Sequence, residues 1–307
     1  MSELELVQHR QIDGISVFFD TVEYRTPHFH PEWELLWVTD GSLLVRCGRQ
    51  ETRHETGDLL LFSPNRVHEF CRTGQNATFL CVQVSPQAFE TVYPELRTLA
   101  VDDYVASAKL ENAQRLALCE QLKELMRAYL DRKPYYALAC AGICAQTFSS
   151  LLAVLPVRRM SEGELSNVVK RNARLTRFVD YVDAHYTQPM SLSDFAVQEG
   201  CSVSYLSRFL KENLNQTFQE YVNTVRFHSA CRLIRSGGLR MLDVCEESGF
   251  SDYRYFSRCF RKRCGMTPEE YRRSGMSSVS VPERQSLHSV EQFYTSEESD
   301  AMLRSLR

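Results

Sequence analysis

The hydrophobic pattern of the first hundred residues alternates with a period of two. Short segments rich in branched and aromatic residues are separated by Gly, Asp, Asn or Pro, as in "ISVFFDTVEY", "EWELLWVTDG", "SLLVRCG", "GDLLLFSP" and "TFLCVQV". This alternation predicts strands. Several short strands at such spacing favour a β-sandwich or a β-barrel. We therefore expect a β domain over residues 1–110.

The hydrophobic period then changes to that of a helix. Apolar residues recur at helical spacing over 112–131, and a second helix is predicted over 135–155, between two prolines. Both helices keep long apolar stripes, which favours a dimer seam over an internal core. The pattern thus predicts a helical dimerisation segment, residues 111–155, with a seam that includes Leu122 and Leu125.

The remainder of the chain divides into three parts. Residues 156–170, with "RRMSEGELSN", are predicted to be a linker, and residues 171–275 are helical almost throughout. The last residues, 276–307, are rich in Ser, Glu and Arg and contain few large apolar side chains. Such a composition buries too little apolar surface to offset the entropy of ordering, so this tail is predicted to be mostly disordered, with a short helix near Met302.

A helix-turn-helix pattern begins at Ser191. This serine and Asp194 have near capping-box spacing, and Gly200 permits a sharp turn after the first helix. The next helix has an inward stripe formed by Leu206, Phe209 and Leu210. In a helix-turn-helix, the second helix enters the major groove of DNA.

The same pattern recurs about fifty residues later. "YLSRFLKENLNQTFQEY" and "YFSRCFRKRCGMTPEEY" align without a gap, and Gly249 stands at the second turn. The inward stripe of the second unit is Phe256, Cys259 and Phe260. Two such units in one register are much harder to obtain by chance than one.

Composition and charge agree with a cytoplasmic DNA-binding chain. Residues 166–275 contain 17 Lys and Arg against 12 Asp and Glu, whereas residues 1–165 contain 16 against 22. A basic carboxyl-terminal part indicates a polyanionic partner for that part alone. We expect no membrane partner, because no apolar run reaches the roughly 20 residues of a membrane helix. The 11 cysteines form no CxxC pair and are expected to be reduced and structural.

The second helix-turn-helix carries a family resemblance. "ESGFSDYRYFSRCFRKRCGMTPEEYR" resembles, nearly end to end, the signature of the AraC/XylS family of bacterial transcription regulators, and the resemblance covers about Leu175 to Arg273. It implies a DNA-binding domain, residues 171–275, whose two units are joined by one long helix, Phe218–Arg235. It further implies a regulator, more often an activator that engages RNA polymerase, acting on double-stranded DNA as a homodimer.

The groove-facing residues follow from subtracting the buried stripes of the two recognition helices. Arg208 and Arg258 occupy equivalent places in the repeat and are the best candidates for base contacts, since arginine binds guanine bidentately. Ser251, as a helix cap, and Lys262 are assigned to structure or to backbone phosphates. The predicted DNA-binding residues are Ser204, Ser207, Arg208, Lys211, Tyr253, Arg254, Ser257, Arg258 and Arg261.

A second resemblance lies near the amino terminus. "HFHPEWELLWVTDG" fits HxHx3Ex6G, the first motif of the cupin superfamily, with His28, His30 and Glu34 at its polar positions. "GDLLLFSPNRVH" approximates the second motif and ends at His68; Asn65 replaces the usual glycine and tolerates the same left-handed backbone. The resemblance implies a small double-stranded β-barrel. The predicted fold is therefore α+β and multidomain: an amino-terminal cupin-like double-stranded β-barrel with flanking helices, and a carboxyl-terminal all-α tandem helix-turn-helix domain.

Residue parity predicts where these side chains point. Along one extended strand, the even-numbered His28, His30 and Glu34 share a face with Leu36 and Val38, so all five would face the barrel interior. The two tryptophans, Trp33 and Trp37, have the opposite parity and are expected to pack between the barrel and the helices.

Three interpretations of the cupin motif remain open. A metal-dependent enzyme, a dioxygenase or isomerase, would use the helical domain only for assembly, while a regulator could bind a divalent metal that helps it recognise a ligand. Alternatively, the motif contains no metal, and the same residues either bind a small polar effector, such as a sugar, or only line the barrel. The regulator resemblance favours this last interpretation, with no catalytic residue and no cofactor. The effector-binding residues are then His28, His30, Glu34, Arg46 and His68, and all of these except Arg46 are the ligands should a divalent metal bind.

Overall fold

The computed structural model describes residues 12–73, 76–273 and 289–306. Its strands are β1 (Ile15–His28), β2 (Trp33–Asp40), β3 (Ser42–Cys47), β4 (Gln50–Glu55), β5 (Leu59–Phe62), β6 (His68–Arg72), β7 (Ala77–Val84), β8 (Leu99–Val101), β9 (Val157–Arg159) and β10 (Val290–Phe293). Its α-helices are α1 (Asn112–Asp131), α2 (Tyr136–Val154), α3 (Glu162–His185), α4 (Leu192–Gln198), α5 (Val203–Leu214), α6 (Phe218–Ser236), α7 (Met241–Glu247), α8 (Tyr253–Cys264), α9 (Pro268–Arg273) and α10 (Ser296–Ser305).

A curled sheet forms the amino-terminal domain, with strand order β4-β3-β6-β1-β7-β2-β5 and with β10 added beside β1. Alternate residues of each strand serve two cores. In β2, Trp33, Leu35 and Trp37 pack with α1 and α2, whereas Leu36 packs inside the curled sheet. The predicted barrel-like β domain, named here the sensor, is a curled sheet, and the predicted packing of both tryptophans against the helices is confirmed.

The helices α1 and α2 form the outer layer of the β domain. Leu122 and Leu125 are fully buried against the sheet, so their assignment to a dimer seam is wrong. The apolar stripe of α1 packs against apolar residues of the sheet. These partners cannot be identified from the sequence of the helix alone. By length and composition, α2 could also cross a membrane, contrary to the expectation from the apolar runs. Cys144 and Leu151 on one side of α2 belong to the same core.

The predicted linker, residues 156–170, is largely regular structure. Val157–Arg159 pairs antiparallel with β8. Ser161 caps α3, because its side chain accepts from the Glu164 backbone while the Glu164 side chain accepts from the Ser161 backbone. The polar sequence "SEGE" is thus a capping box, and the predicted linker contains a short strand and the first turns of α3.

The predicted disordered tail is also ordered over residues 289–306. Its strand β10 pairs with β1, and Leu303 of α10 is buried among side chains of the β domain. The tail lacks a core of its own, as its composition indicated, but it uses the core of another domain. Residues 276–288 lie outside the described part of the chain.

The carboxyl-terminal domain contains two helix-turn-helix units, as predicted. Unit 1 comprises α4 and α5, unit 2 comprises α7 and α8, and α6 joins them. Each unit has its own core, centred on Phe195 and Leu206 in unit 1 and on Phe256 and Phe260 in unit 2. The turn of unit 2 is one residue longer, so that Asp252, and not the predicted Ser251, caps the recognition helix α8.

Candidate ligand cluster and DNA-binding surface

Four side chains meet inside the curled sheet: His28, His30, Glu34 and His68, named here the four-residue cluster. All are buried, and one ligand atom from each lies within 4.8 Å of the others. The sequence correctly predicted that they face the interior, but for the wrong reason. A turn after His30 separates β1 from β2, so His28 and Glu34 lie on different strands, with β7 between them. The curl of the sheet brings Glu34 to His68.

Backbone carbonyls orient two of the imidazoles. Nδ1 of His28 lies 2.9 Å from the carbonyl oxygen of Thr26, and Nδ1 of His68 lies 2.8 Å from that of Arg66. A carbonyl oxygen only accepts, so each Nδ1 carries a proton. The other ring nitrogen, Nε2, is therefore available to the cluster as a lone-pair donor, as in protein metal sites. Burial, reinforced by the adjacent His68, lowers the pKa of His28 well below its usual value and keeps that ring neutral.

The Glu34 carboxylate occupies the centre of the cluster. Its Oε1 accepts a hydrogen bond from Nε2 of Gln83 at 3.0 Å. Its Oε2 lies 2.9 Å from Nε2 of His68, yet among the described residues neither of these two buried atoms has a hydrogen-bond partner of acceptable geometry. Burial opposes ionisation of Glu34, but His30 and His68 outweigh it and lower the pKa of the carboxyl well below its usual value. Glu34 Oε2 and His68 Nε2 thus lie close together in a buried site, where a cation between them, either a proton or a metal ion, stabilises the pair.

The space around the cluster suits an ion better than a sugar. The Phe62 ring stacks on His68 with centroids 4.4 Å apart, and the Phe70 ring lies 5.5 Å from that of His28. Pockets for organic ligands usually enclose about 300–1,000 Å³. A smaller crevice of about 170 Å³, including its open mouth, lies beside His68 and is lined also by Arg46, Glu69 and Asn213. Arg46 therefore lies in the crevice, where its guanidinium donates to Glu69 at 3.2 Å, and it is not part of the cluster.

The segments that carry the cluster also contact unit 1. Phe29, between His28 and His30, and Val67, before His68, are buried in one core with Leu175 and Leu214 of the DNA-binding domain. In the same loop, the carbonyl oxygen of Asn65 accepts from Nδ2 of Asn172 at 3.0 Å. Asn65 has a φ of 61°, as expected for its place in the motif. We did not predict this contact from the sequence. Its signal was the apolar residues directly beside the ligand residues, Phe29 and Val67.

A buried carboxylate, Glu69, extends the contact between the domains. It accepts from the hydroxyl of Tyr24 at 2.8 Å and from Nε2 of Gln216 at 3.1 Å. Burial raises the pKa of Glu69, against the lowering effect of Arg46. The Tyr24 ring stacks on His228 of α6 with centroids 3.7 Å apart. The inner face of the sensor is therefore connected both to unit 1 and to the helix between the units.

The predicted DNA-binding residues lie on the two recognition helices. On α5, all four are exposed: Ser204, Ser207, Arg208 and Lys211. On α8 the three arginines are exposed, whereas two residues are half-buried: Tyr253, whose hydroxyl bonds to Glu269, and Ser257. Arg208 and Arg258 occupy equivalent positions, as expected, and the Arg258 guanidinium lies 5.2 Å from the centre of the Tyr255 ring.

Comparisons with known proteins agree with this architecture. Residues 11–143 match the AraC-like ligand binding domain, and residues 195–274 match a helix-turn-helix domain. The chain is 26% identical to the uncharacterized HTH-type transcriptional regulator YbfI of Bacillus subtilis, over 81% of this chain and 87% of YbfI. It is 27% identical to the HTH-type transcriptional activator RhaS of Salmonella arizonae, over 80% of this chain and 86% of RhaS. The crystal structure of ToxT from Vibrio cholerae is 14% identical, covers 84% of this chain and 97% of its own, and has a TM-score of 0.40, too low to support a conclusion.

A ligand-binding β domain followed by two helix-turn-helix units defines a DNA-binding transcription regulator. The β domain of this chain is similar to the AraC-like ligand binding domain, and its relatives YbfI and RhaS are named as HTH-type transcriptional regulators. Its relatives are regulators and not enzymes, and the interpretation of the cupin motif as a catalytic centre is set aside.

Proposed function

We propose that this regulator responds to a divalent transition-metal ion held by His28, His30, Glu34 and His68. The observation that carries the proposal is the convergence of three buried imidazoles and one buried carboxylate, with one ligand atom from each within 4.8 Å of the others. Three imidazoles and a carboxylate suit zinc, iron, manganese or nickel. This replaces our expectation of a regulator without a cofactor.

The signal would reach DNA through unit 1. A bound ion supplies a charge that fixes the four ligand side chains in one arrangement. Because Phe29 and Val67 adjoin those ligands and pack against Leu175 and Leu214, fixing the ligands favours one docking of unit 1 on the sensor. An ion that binds one docked arrangement better than another shifts the population toward it.

A second candidate, a small polar effector, is favoured by the crevice beside the cluster. Arg46, His68 and Glu69 line it together with Asn213 of α5. These groups would donate to and accept from hydroxyl or carboxylate groups of a sugar-like metabolite, and such a ligand would touch the sensor and unit 1 together.

The regulator is further proposed to be a cytoplasmic, dimeric activator that engages RNA polymerase. Relatives such as RhaS are named as activators. The outward face of α2 supports dimerisation, because Leu138 is 76% exposed although α2 is apolar over most of its length. Changing Leu138 to Glu should convert dimers to monomers in analytical ultracentrifugation, and an unchanged dimer would place the seam elsewhere.

Melting temperature distinguishes the two candidate ligands. Chelator-treated protein would be melted with zinc, manganese, iron(II) or nickel, and with a panel of sugars and sugar acids in the presence of chelator. A ligand at 100 times its Kd adds about 2.7 kcal/mol of stability. Stabilisation by a metal that is lost in His68→Ala but kept in His185→Ala, at an exposed histidine, supports the metal. Stabilisation by a sugar alone, lost in Arg46→Ala, would replace the metal by the organic effector.

A further inference from the structure

We propose that residues 289–306, named here the clasp, bind a strand-accepting edge of β1 and hold the far end of the DNA-binding domain to the sensor. The clasp consists of the strand β10 and the helix α10. It follows unit 2 in the chain, yet its contacts are with the sensor. Both matched family domains end before it, at residues 143 and 274.

The edge that accepts the clasp is defined by strand pairing. β7 pairs with β1 over residues 15–22, and β6 pairs with it from Tyr24 to His28. β10 pairs with the side of β1 opposite to β7, from Asp20, which faces Phe293, to Tyr24, which faces Val290; residues 20–22 pair with β7 as well, and Tyr24 also pairs with β6. Without β10, residues 20–22 of β1 would present unpaired backbone groups at an open edge, the usual site for addition of an extended peptide.

Side chains make this strand addition specific. The Glu291 carboxylate is fully buried, and Nη1 of Arg25 donates to it at 2.5 Å. Ser289 Oγ accepts from the backbone N–H of Thr26 at 3.2 Å. A buried carboxylate requires such a partner, because removing it from water without one is costly. A tail with a different residue at 291 would therefore fit the edge poorly.

The helix of the clasp provides an apolar anchor. Thr295 and Glu298 form a capping box that starts α10 immediately after the strand. Leu303 is 4% exposed in the core that includes α1, and Met302 and Leu306 pack against that core. The segment thus combines backbone pairing, one buried ion pair and an apolar anchor, although it has no core of its own.

The position of the clasp links it to the DNA-binding domain. β10 pairs with Tyr24, whose ring stacks on His228 of α6, and Glu23 accepts from Arg235 of α6 at 3.3 Å. The DNA-binding domain is joined to the sensor by α3 at its start and by the clasp at its end. Release of β10 would remove the connection at the carboxyl-terminal end and would leave the contacts of α6 with Tyr24 and Glu23 to hold the domain.

Cleavage of the full-length chain tests the clasp without deleting it. A site-specific protease recognition sequence would be inserted after Gln285, outside the described residues, and the cut protein would be passed over a native size-exclusion column. We expect the carboxyl-terminal peptide to co-elute with the body of the protein at micromolar concentration. Glu291→Lys should lower the fraction of peptide that co-elutes with the body at least tenfold. The matched change Glu297→Lys, at an exposed position of α10, should leave this fraction unchanged.

Two results would overturn the proposal: separation of the unmodified peptide from a body that remains folded by circular dichroism, or equal loss with both substitutions. A labelled synthetic peptide of residues 287–306 provides a second measurement. Added to the protein truncated after residue 286, it should bind saturably, and the Glu291→Lys peptide at least tenfold more weakly. Neither test involves a metal, so their outcome is independent of the proposed ligand.

Discussion

The two helix-turn-helix units share one sequence pattern but differ in charge and in what they contact. The recognition helix α5 of unit 1 has two basic residues, Arg208 and Lys211, and its end is tied to the sensor where Arg49 donates to Glu212 at 2.9 Å. The recognition helix α8 of unit 2 carries five basic residues: Arg254, Arg258, Arg261, Lys262 and Arg263.

This difference suggests a division of labour. Phosphate contacts through Lys and Arg supply most of the sequence-independent affinity for DNA, and α8 is the better equipped for them. Unit 1 instead shares a core with Phe29 and Val67, beside the four-residue cluster. We infer that unit 2 contributes more of the general affinity, while unit 1 is the unit whose position the sensor controls.

The largest expected effects are on stability, because each unit has its own core and a core substitution should destabilise one unit alone. Phe256 is fully buried in unit 2, so Phe256→Ala should lower the free energy of unfolding of that unit by about 3–5 kcal/mol. Unit 1 and the sensor should keep their stability, because their cores do not include this ring. Hydrogen exchange resolved by segment would measure both. The control is Val197→Ala at a position that is 84% exposed; equal destabilisation of both units by Phe256→Ala would show that they share one core.

Base recognition should give intermediate effects of similar size in both units. Arg208→Ala and Arg258→Ala should each weaken specific binding by about 1–3 kcal/mol and relax discrimination at one base position. Binding selection from a random DNA library, followed by affinity measurement at fixed salt, would identify that position. If a variant discriminates as before at every base position, the arginine that it lacks contacts phosphate and not a base.

The smallest predicted effect is a pH dependence that Glu199 gives to unit 1. Hydrogen bonds from Arg177 and Arg174 lower the pKa of Glu199 at the end of α4, whereas the equivalent residue in unit 2 is Ser248. Since the folded pKa is the lower one, this stabilisation is complete above the unfolded pKa and is lost as pH falls through the folded value.

Glu199→Gln should therefore cost about 0.2–1 kcal/mol near neutral pH, and this difference should shrink in acid. Urea unfolding at several pH values would measure it. A cost that stays constant down to the acid limb would mean that packing, and not charge, accounts for the contribution of Glu199.

Features with local causes could be predicted from the sequence. The inward and outward faces of β2 follow from its period of two, so Glu34 and Trp33 were assigned to the correct sides. The helix-turn-helix units follow from caps, glycine turns and apolar stripes within a few residues of each other. The capping box at Ser161 is equally local and could have been identified, but the surrounding polar composition obscured it.

Features that depend on a distant surface could not be predicted. Nothing near Leu122 indicates whether its partner is the sheet or a second chain. The tail was judged by its own apolar content, whereas Glu291 is stabilised by Arg25, 266 residues earlier in the sequence, and Leu303 by a core that includes α1. Likewise, the turn between His30 and Trp33 could not be predicted, because the alternation of residues before and after it fits one continuous strand.

Metal stoichiometry is the decisive measurement for the four-residue cluster. Isothermal titration of chelator-treated protein with zinc or manganese, checked by elemental analysis after gel filtration, would count the bound ions per chain. We expect one ion per chain, lost in His28→Ala and His68→Ala and retained in His185→Ala. Absence of binding for zinc, manganese, iron(II) and nickel, or equal binding by all three variants, would contradict this expectation.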